Sequence, residues 1–457
     1  MQTMKFYMLC ASVTQQKGRS MMKKATAILL VIVLLVGICL IGGCSGASKE
    51  MTVYYSNESV FMTDIADRIT AFQRSNDVTL NVKVFETEAE MDEVVQTELM
   101  AGKGGPDVIL STYFTSLDYM ELAEKGYFAD ITDETTAAFS SEDYYTSALT
   151  AGQLDRKQYI LPLAFSVPFF LSTEQMLENH GITIPENYTG KELLDALRGD
   201  FDPSAKSLYS SMMSTTMYED LSLFASMRVP LIDSENRTAI PNEAAVQDIE
   251  NFSSLLRTQM DAFFQNASGN DVVSFVANAA PDLAFSHDLI NSAPRFLYPE
   301  LCAFRYSGDA SALRVLPVTN YDSEAITALS HVYGAVISGS AYEQQGFELL
   351  KFIAERVYTS ASYTVPLSKQ GVETQLEKMM TASGKLAGSS VERYPMTQEE
   401  VSAVKAMFEG FDDCVLLNLA EVNLTVSDGM LDYRRGNADW SSALADIKTK
   451  LELYLSE

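Results

Sequence analysis

The chain has 457 residues, 47% of them hydrophobic, enough for a sizeable core and too long for one typical domain. With 33 basic against 61 acidic residues its formal charge is −28, a surface that repels phosphate backbones and excludes nucleic-acid binding as a primary role. Five cysteines and three scattered histidines offer no metal-type spacing, so neither a metal nor another cofactor is expected.

The N-terminus has a character of its own. Lys5, Lys17, Arg19, Lys23 and Lys24 are the only charged residues before Cys44; without that stretch the remainder carries about −33. Met21-Met22-Lys23-Lys24 is a short positive segment, and an apolar run from Ala25 to Ile41 follows it. Gly42-Gly43-Cys44 then leads into Ser45-Gly46-Ala47-Ser48. Charge, apolar run and small residues in that order describe a secretory signal. Ile41-Gly42-Gly43-Cys44 resembles the lipobox of bacterial lipoproteins, in which the cysteine thiol takes a diacylglyceryl group. An uncleaved anchor helix is the other reading of so long a run. A signal begins at its own methionine, so translation is expected to start at Met21 or Met22, with residues 1–20 an upstream extension.

Strand and helix patterns alternate after a polar tether at 44–50. Met51–Ser56 reads as a buried strand, Phe61–Asn76 as an amphipathic helix, Thr79–Phe85 as an alternating strand and Glu88–Ala101 as the next helix. Asp107–Leu110 is a short buried strand behind Gly104-Gly105-Pro106, and Leu117–Lys125 a helix closed by Gly126. That order predicts a parallel, helix-covered sheet. Tyr159–Leu163 and Val167–Leu171 open a second α/β segment, with helices at Thr216–Met227, Glu243–Phe264 and Tyr342–Val357. Gln398–Phe408, Asp413–Tyr433 and Asp439–Leu455 read as helices, the last capped by Asp439. Cys302 and Cys414, far apart in sequence, are either two buried thiols or one disulfide.

Several stretches of this pattern carry a resemblance. Gly105-Pro106-Asp107-Val108-Ile109-Leu110 is followed by Leu122-Ala123-Glu124-Lys125-Gly126-Tyr127-Phe128, and Tyr159-Ile160-Leu161-Pro162-Leu163-Ala164-Phe165-Ser166 comes later. Then come His180-Gly181-Ile182 with Pro185 and Tyr188-Thr189, Asp233–Pro241 before Asn242, Leu316-Pro317 with Ala335–Ser338, and Tyr363–Leu367. In this order they resemble the extracellular solute-binding proteins of bacterial ABC importers, family 1, sugar-type, in lipoprotein form. The resemblance implies an α/β, two-lobed periplasmic-binding-protein-like (type II) fold. Each lobe would be a helix-flanked sheet, the two joined by a hinge of crossing segments. It groups 51–163 with 325–363 as the N-terminal lobe, and 164–324 with 364–457 as the C-terminal lobe. It also implies ligand binding between the lobes, delivery to permease subunits, a monomer lipid-anchored through Cys44 on the outer face of the cell membrane, and no catalysis.

The same resemblance nominates residues for the cleft. Ser56, Asn57 and Glu58 follow the first strand, and Ser111, Thr112, Tyr113 and Phe114 follow the third, with Tyr113 as the stacking candidate. Ser166 lies at the first crossing, Ser286, His287 and Asp288 follow an apolar strand of the second lobe, and Glu421 and Asn423 sit late in the chain. The one tryptophan, Trp440, falls outside the matching positions, which leaves tyrosine and phenylalanine to stack on a solute. A sugar or oligosaccharide is the first expectation. A cationic solute such as a polyamine is the alternative raised by the acidity, and a non-transport surface lipoprotein is another. No nucleophile elbow, phosphate loop, zinc-protease helix motif or dinucleotide fingerprint supports an enzyme.

Overall fold

The computed structural model of the protein describes residues 50–59, 62–76, 78–102, 104–198, 209–210, 218–233, 236–266, 285–288, 301–355, 365–386 and 389–456. The apolar run 25–41, the starts at Met21 or Met22 and the proposed lipid site Cys44 lie outside the described residues.

The first layer follows the alternation read from the sequence. β1 (Glu50–Ser56), α1 (Thr63–Ser75), β2 (Thr79–Phe85), α2 (Glu88–Ala101) and β3 (Val108–Thr112) come in order. β2 alternates over its first five residues, with Leu80 buried and Val82 half-buried between exposed Thr79, Asn81 and Lys83, and breaks step at its end, where Val84 is exposed and Phe85 buried. α2 starts where the Thr87 side chain accepts from the Glu90 N–H and ends at Gly102, in the left-handed region at φ 62°. Asp107 gives the Gly-Pro-Asp motif a physical role: its carboxylate accepts from the Thr52 N–H at 2.7 Å and the Ser340 hydroxyl at 2.6 Å, stapling β3 to its surroundings.

Next come α3 (Tyr119–Glu124), α4 (Thr132–Ala138), a 3₁₀ turn at Thr146–Gly152 and the small hairpin of β4 (Gln153–Leu154) and β5 (Lys157–Gln158). β6 (Ile160–Ser166) passes directly to β7 (Phe169–Thr173), and α5 (Glu174–Asn179) and α6 (Gly190–Arg198) follow. β8 (Tyr209–Ser210), α7 (Tyr218–Ser226), the hairpin β9 (Ile232–Asp233) and β10 (Thr238–Ala239), α8 (Glu243–Asn266), β11 (Phe285–Asp288) and β12 (Leu313–Pro317) complete the middle of the chain. The Asn242 side chain caps α8 by accepting from the Ala245 N–H. The last third holds β13 (Thr327–Val336), α9 (Glu343–Glu355), β14 (Val365–Pro366), α10 (Lys369–Met380), α11 (Gln398–Glu409), β15 (Asp413–Leu416), α12 (Glu421–Arg434) and α13 (Trp440–Tyr454).

These strands form two main sheets. The seven-stranded one runs β14-β6-β13-β3-β1-β2, with β15 also paired to β13; the four-stranded one runs β12-β7-β11-β8. β6 and β13 are buried along their whole lengths, which is why neither alternates polar with apolar residues as a half-exposed strand does. Gly334 in β13 lets α9 approach, since a Cβ there would meet a Leu350 methyl at 2.5 Å. A separate core of Phe170, Leu193, Leu223, Ile249 and Phe252 is joined by Val426 and Met430 of α12 and Ile447 and Leu451 of α13.

The chain therefore passes between the sheets at 166–169 and 317–327, and a third time at 417–420, where it leaves β15 for α12. The grouping of 364–457 with the second lobe is corrected in part. β14 pairs with β6 and β15 with β13, so both belong to the large sheet, while α11 packs against β12 of the second sheet and α12 and α13 pack on the second core. Asp413–Tyr433 is likewise not one helix: Asp413–Leu416 extends beside Thr327–Ser330 and takes up the hydrogen bonds of β13 beyond the end of β3. Cys302 and Cys414 are both buried thiols and are not joined in a disulfide.

Candidate functional site

β1 and β3 run parallel, Val53 beside Val108 and Tyr54 beside Ile109, so their C-terminal ends deliver two loops to the same edge of the sheet. In open α/β sheets this is the edge where ligands bind. Between the two loops lies the first turn of α2. Glu88 is fully buried there; its Oε2 accepts from the Ser56 hydroxyl, and its Oε1 accepts from the Ser111 hydroxyl and, at 2.7 Å, from the Thr112 N–H. The Glu88 N–H donates in turn to Oε2 of Glu58 at 2.7 Å. One turn on, Asp92 accepts from Thr115 Oγ1 at 2.8 Å and from the N–H and hydroxyl of Ser116 at 2.7 and 2.8 Å. Burial pushes the Glu88 carboxyl up to about 7, against the pull of its three donors, and raises that of Asp92 as well.

The nominated residues thus divide. Ser56 and Ser111 are wholly buried, and their hydroxyls serve Glu88, which corrects the expectation that they fix solute groups directly. Thr112 is buried too and gives Glu88 its backbone N–H. Asn57 and Glu58 stand exposed, the Asn57 N–H held by the Phe85 carbonyl at 2.9 Å. Tyr113 is buried rather than presented as an open stacking surface. Its ring lies on Phe114, centroids 4.3 Å apart at 28°, with the edge contact of His331 at 6.4 Å, while Phe114 is half-buried. Burial takes the pKa of His331 down to about 4, so it is neutral at physiological pH.

Residues 417–420 are hydrogen-bonded onto this rim. The Leu417 N–H donates to Ser330 and the Leu419 N–H to Thr115. Asn423 reaches back from α12 to Asn418, donating to its carbonyl at 3.0 Å and its side-chain oxygen at 3.1 Å. Asn418 and Asn423 line a cavity of about 540 Å³ together with Asp118, Arg228, Asp413 and Tyr454, over an apolar floor from α7. Glu421, at the start of α12, is exposed. Ser166 ends β6 opposite Leu329, buried, its hydroxyl without a hydrogen-bond partner among the described residues. Ser286, His287 and Asp288 form β11, in register with Leu171, Phe170 and Phe169 of β7, so they belong to the other sheet. Sequence reasoning missed Glu88, Asp92 and Asn418. The two acids look like ordinary first-turn residues of α2, and the signal that marks them is the hydroxyl-rich Ser111–Ser116 loop needing acceptors. Among the described residues no group of three or more His, Cys, Asp or Glu is placed to hold a metal.

Residues 67–257 match the family of bacterial extracellular solute-binding proteins. The chain shares its fold with the sugar-binding protein MalE from Xanthomonas citri (10% identity, TM-score 0.58, covering 89% of this chain and 97% of that one). It also resembles a family 1 extracellular solute-binding protein from Alicyclobacillus acidocaldarius (13%, 0.54, 89% and 98%). A third is an ABC substrate-binding protein from Listeria monocytogenes in complex with cycloalternan (15%, 0.51, 89% and 99%). No curated protein sequence matches the chain. The chain has the two-lobed α/β fold of these structures. Among its described residues no helix is long and apolar enough to cross a membrane.

Proposed function

We propose that the chain is the substrate-binding lipoprotein of an ABC importer, holding a sugar or oligosaccharide between its two lobes and passing it to the permease. The observation that carries this reading is the pair of loops after β1 and β3, fixed from below by buried carboxylates and joined by 417–420, beside a polar-walled cavity. Asn57, Glu58, Phe114, Glu421 and Asn423 would meet the solute from this side, and Ser286, His287 and Asp288 from the other sheet. Phe114 would supply the aromatic face that tryptophan supplies elsewhere. Three chain crossings make a hinge about which the lobes close, and a solute favours closure only by its greater affinity for the closed form. The relatives named for sugars and cycloalternan support a carbohydrate.

A thermal-shift screen of mono- and oligosaccharides beside polyamines tests this. A cognate sugar at about 100 times its Kd stabilises by about 2.7 kcal/mol, and polyamines leave the Tm unchanged. Stabilisation by amines alone overturns the sugar, and stabilisation by no small solute overturns the transport role. The tether is proposed to be diacylglyceryl on Cys44, two acyl chains being enough for stable anchoring. Cys44→Ser should move the protein from the membrane fraction to the medium; retention on washed membranes would refute the lipid.

A further inference from the structure

We propose that Glu88 is a positioning residue for the solute site: its one buried carboxylate ties the loop after β1 to the loop after β3 and sets how far apart they are held. Which loops meet solute rests on the reading above; the tie itself rests on geometry alone. The β1 side contributes the Ser56 hydroxyl and the Glu58 carboxylate, the β3 side the Ser111 hydroxyl and the Thr112 N–H, and all four engage one residue of a third element. Asp92 lies one helical turn further on, on the same face of α2, and extends the hold to Thr115 and Ser116. An apolar residue at 88 would leave the Thr112 N–H and two buried hydroxyls without their acceptor. A helix start needs only a cap, which Thr87 already supplies, so the buried acid is not required to make α2.

The groups facing Glu88 are Asp92 on α2, Tyr119 on α3, Tyr333 on β13 and Glu58 from the β1 loop, all acidic or phenolic. With no cation among them, a proton suits the tie. Carried on Oε2, it reverses the Ser56 bond, the carboxyl then donating to the Ser56 hydroxyl oxygen, while Oε1 keeps the Ser111 and Thr112 bonds. Burial pushes the carboxyl to about 7, from 4.5 in water, so opening the loops to solvent releases a proton. A raised carboxyl pKa in the closed state means that opening is favoured as pH rises through this window and disfavoured as it falls.

Hydrogen exchange on the mature chain without solute tests this in wild type, Glu88→Gln and Glu88→Ala, corrected for intrinsic rates. From about pH 8 to about pH 6, wild-type protection of 56–59 and 111–116 should rise about tenfold, whereas the Gln variant, a neutral isostere, should stay flat. The Ala variant should exchange about tenfold faster in both loops with 169–173 and 313–317 unchanged. A Gln variant that keeps the wild-type pH response overturns the proposal, as do Ala loops that exchange no faster or Ala-induced exchange spread equally over the second sheet. If the Ala variant does not fold, the Gln comparison decides alone. Failure of every sugar in the thermal-shift screen would remove the solute reading and leave these exchange results standing, so the two failures are distinguishable.

Discussion

Replacing Arg434 with methionine is expected to cost about 3–5 kcal/mol of folding stability, although the residue touches no solute loop. Its guanidinium is 4% exposed and grips Asp220 with both terminal nitrogens, at 2.6 and 3.0 Å; it also holds Glu250 through Nε at 2.9 Å. Asp220 comes from α7, Glu250 from α8 and Arg434 from the end of α12, so one side chain joins three helices of the second core. Burial pushes the Glu250 carboxyl up, and Arg434 pulls it back down. Without the guanidinium two carboxylates are left in an apolar interior, and at least one must take a proton to remain there. The folded variant then binds protons that the unfolded chain has released, so its deficit is largest near pH 7 and above and narrows as pH falls. Urea unfolding at several pH values checks this. Combining Arg434→Met with Asp220→Asn and Glu250→Gln removes the buried charges and should recover much of the loss. The exposed neighbour Arg435→Met should stay within about 0.5 kcal/mol of wild type. A single variant as stable as that control would mean the triad adds nothing.

That triad illustrates what a sequence discloses and what it withholds. Local patterns were legible: Thr79–Phe85 and Glu88–Ala101 fall where the sequence pattern puts them, and Asp439 caps α13 through the Ser442 N–H. Such signals are carried by neighbours in the chain. Strand β15 was not legible, because Asp-Cys-Val-Leu has no alternation and its extended form comes from pairing with Thr327–Ser330, some 85 residues earlier. The same holds for the site. The Ser56–Glu58 and Ser111–Phe114 loops can be placed from strand ends and polar composition. That the two serines turn inward to Glu88 depends on where α2 packs, which no spacing encodes. Glu88 and Asp92, like Arg434, find partners from elements distant in sequence, and a single chain read residue by residue shows them only as charges.

The second large effect is expected at Tyr333, where Tyr333→Ala should cost about 3–5 kcal/mol and Tyr333→Phe about 1 kcal/mol. The ring is fully buried in β13 and meets Tyr119 edge-on at a centroid distance of 5.1 Å. Its hydroxyl reaches the carbonyls of Thr112 at 3.4 Å and Leu417 at 3.3 Å, long bonds whose loss is cheap. Truncation to alanine instead empties a ring-sized volume between β13 and α3, and close-packed neighbours collapse into it only in part. Thr112 ends the strand that carries one solute loop, and Leu417 begins the segment that carries Asn418 and Asn423. The cavity therefore opens between the two supports of the rim, and the alanine variant should lose solute affinity beyond what its lower stability explains. Urea midpoints measure the first effect, and titration with whichever sugar stabilises the wild type measures the second. Were the phenylalanine variant as damaged as the alanine one, the hydroxyl and not the ring would be the support, and the rim would be held by hydrogen bonds on both sides, Glu88 beneath the β1 and β3 loops and Tyr333 beneath 417–420.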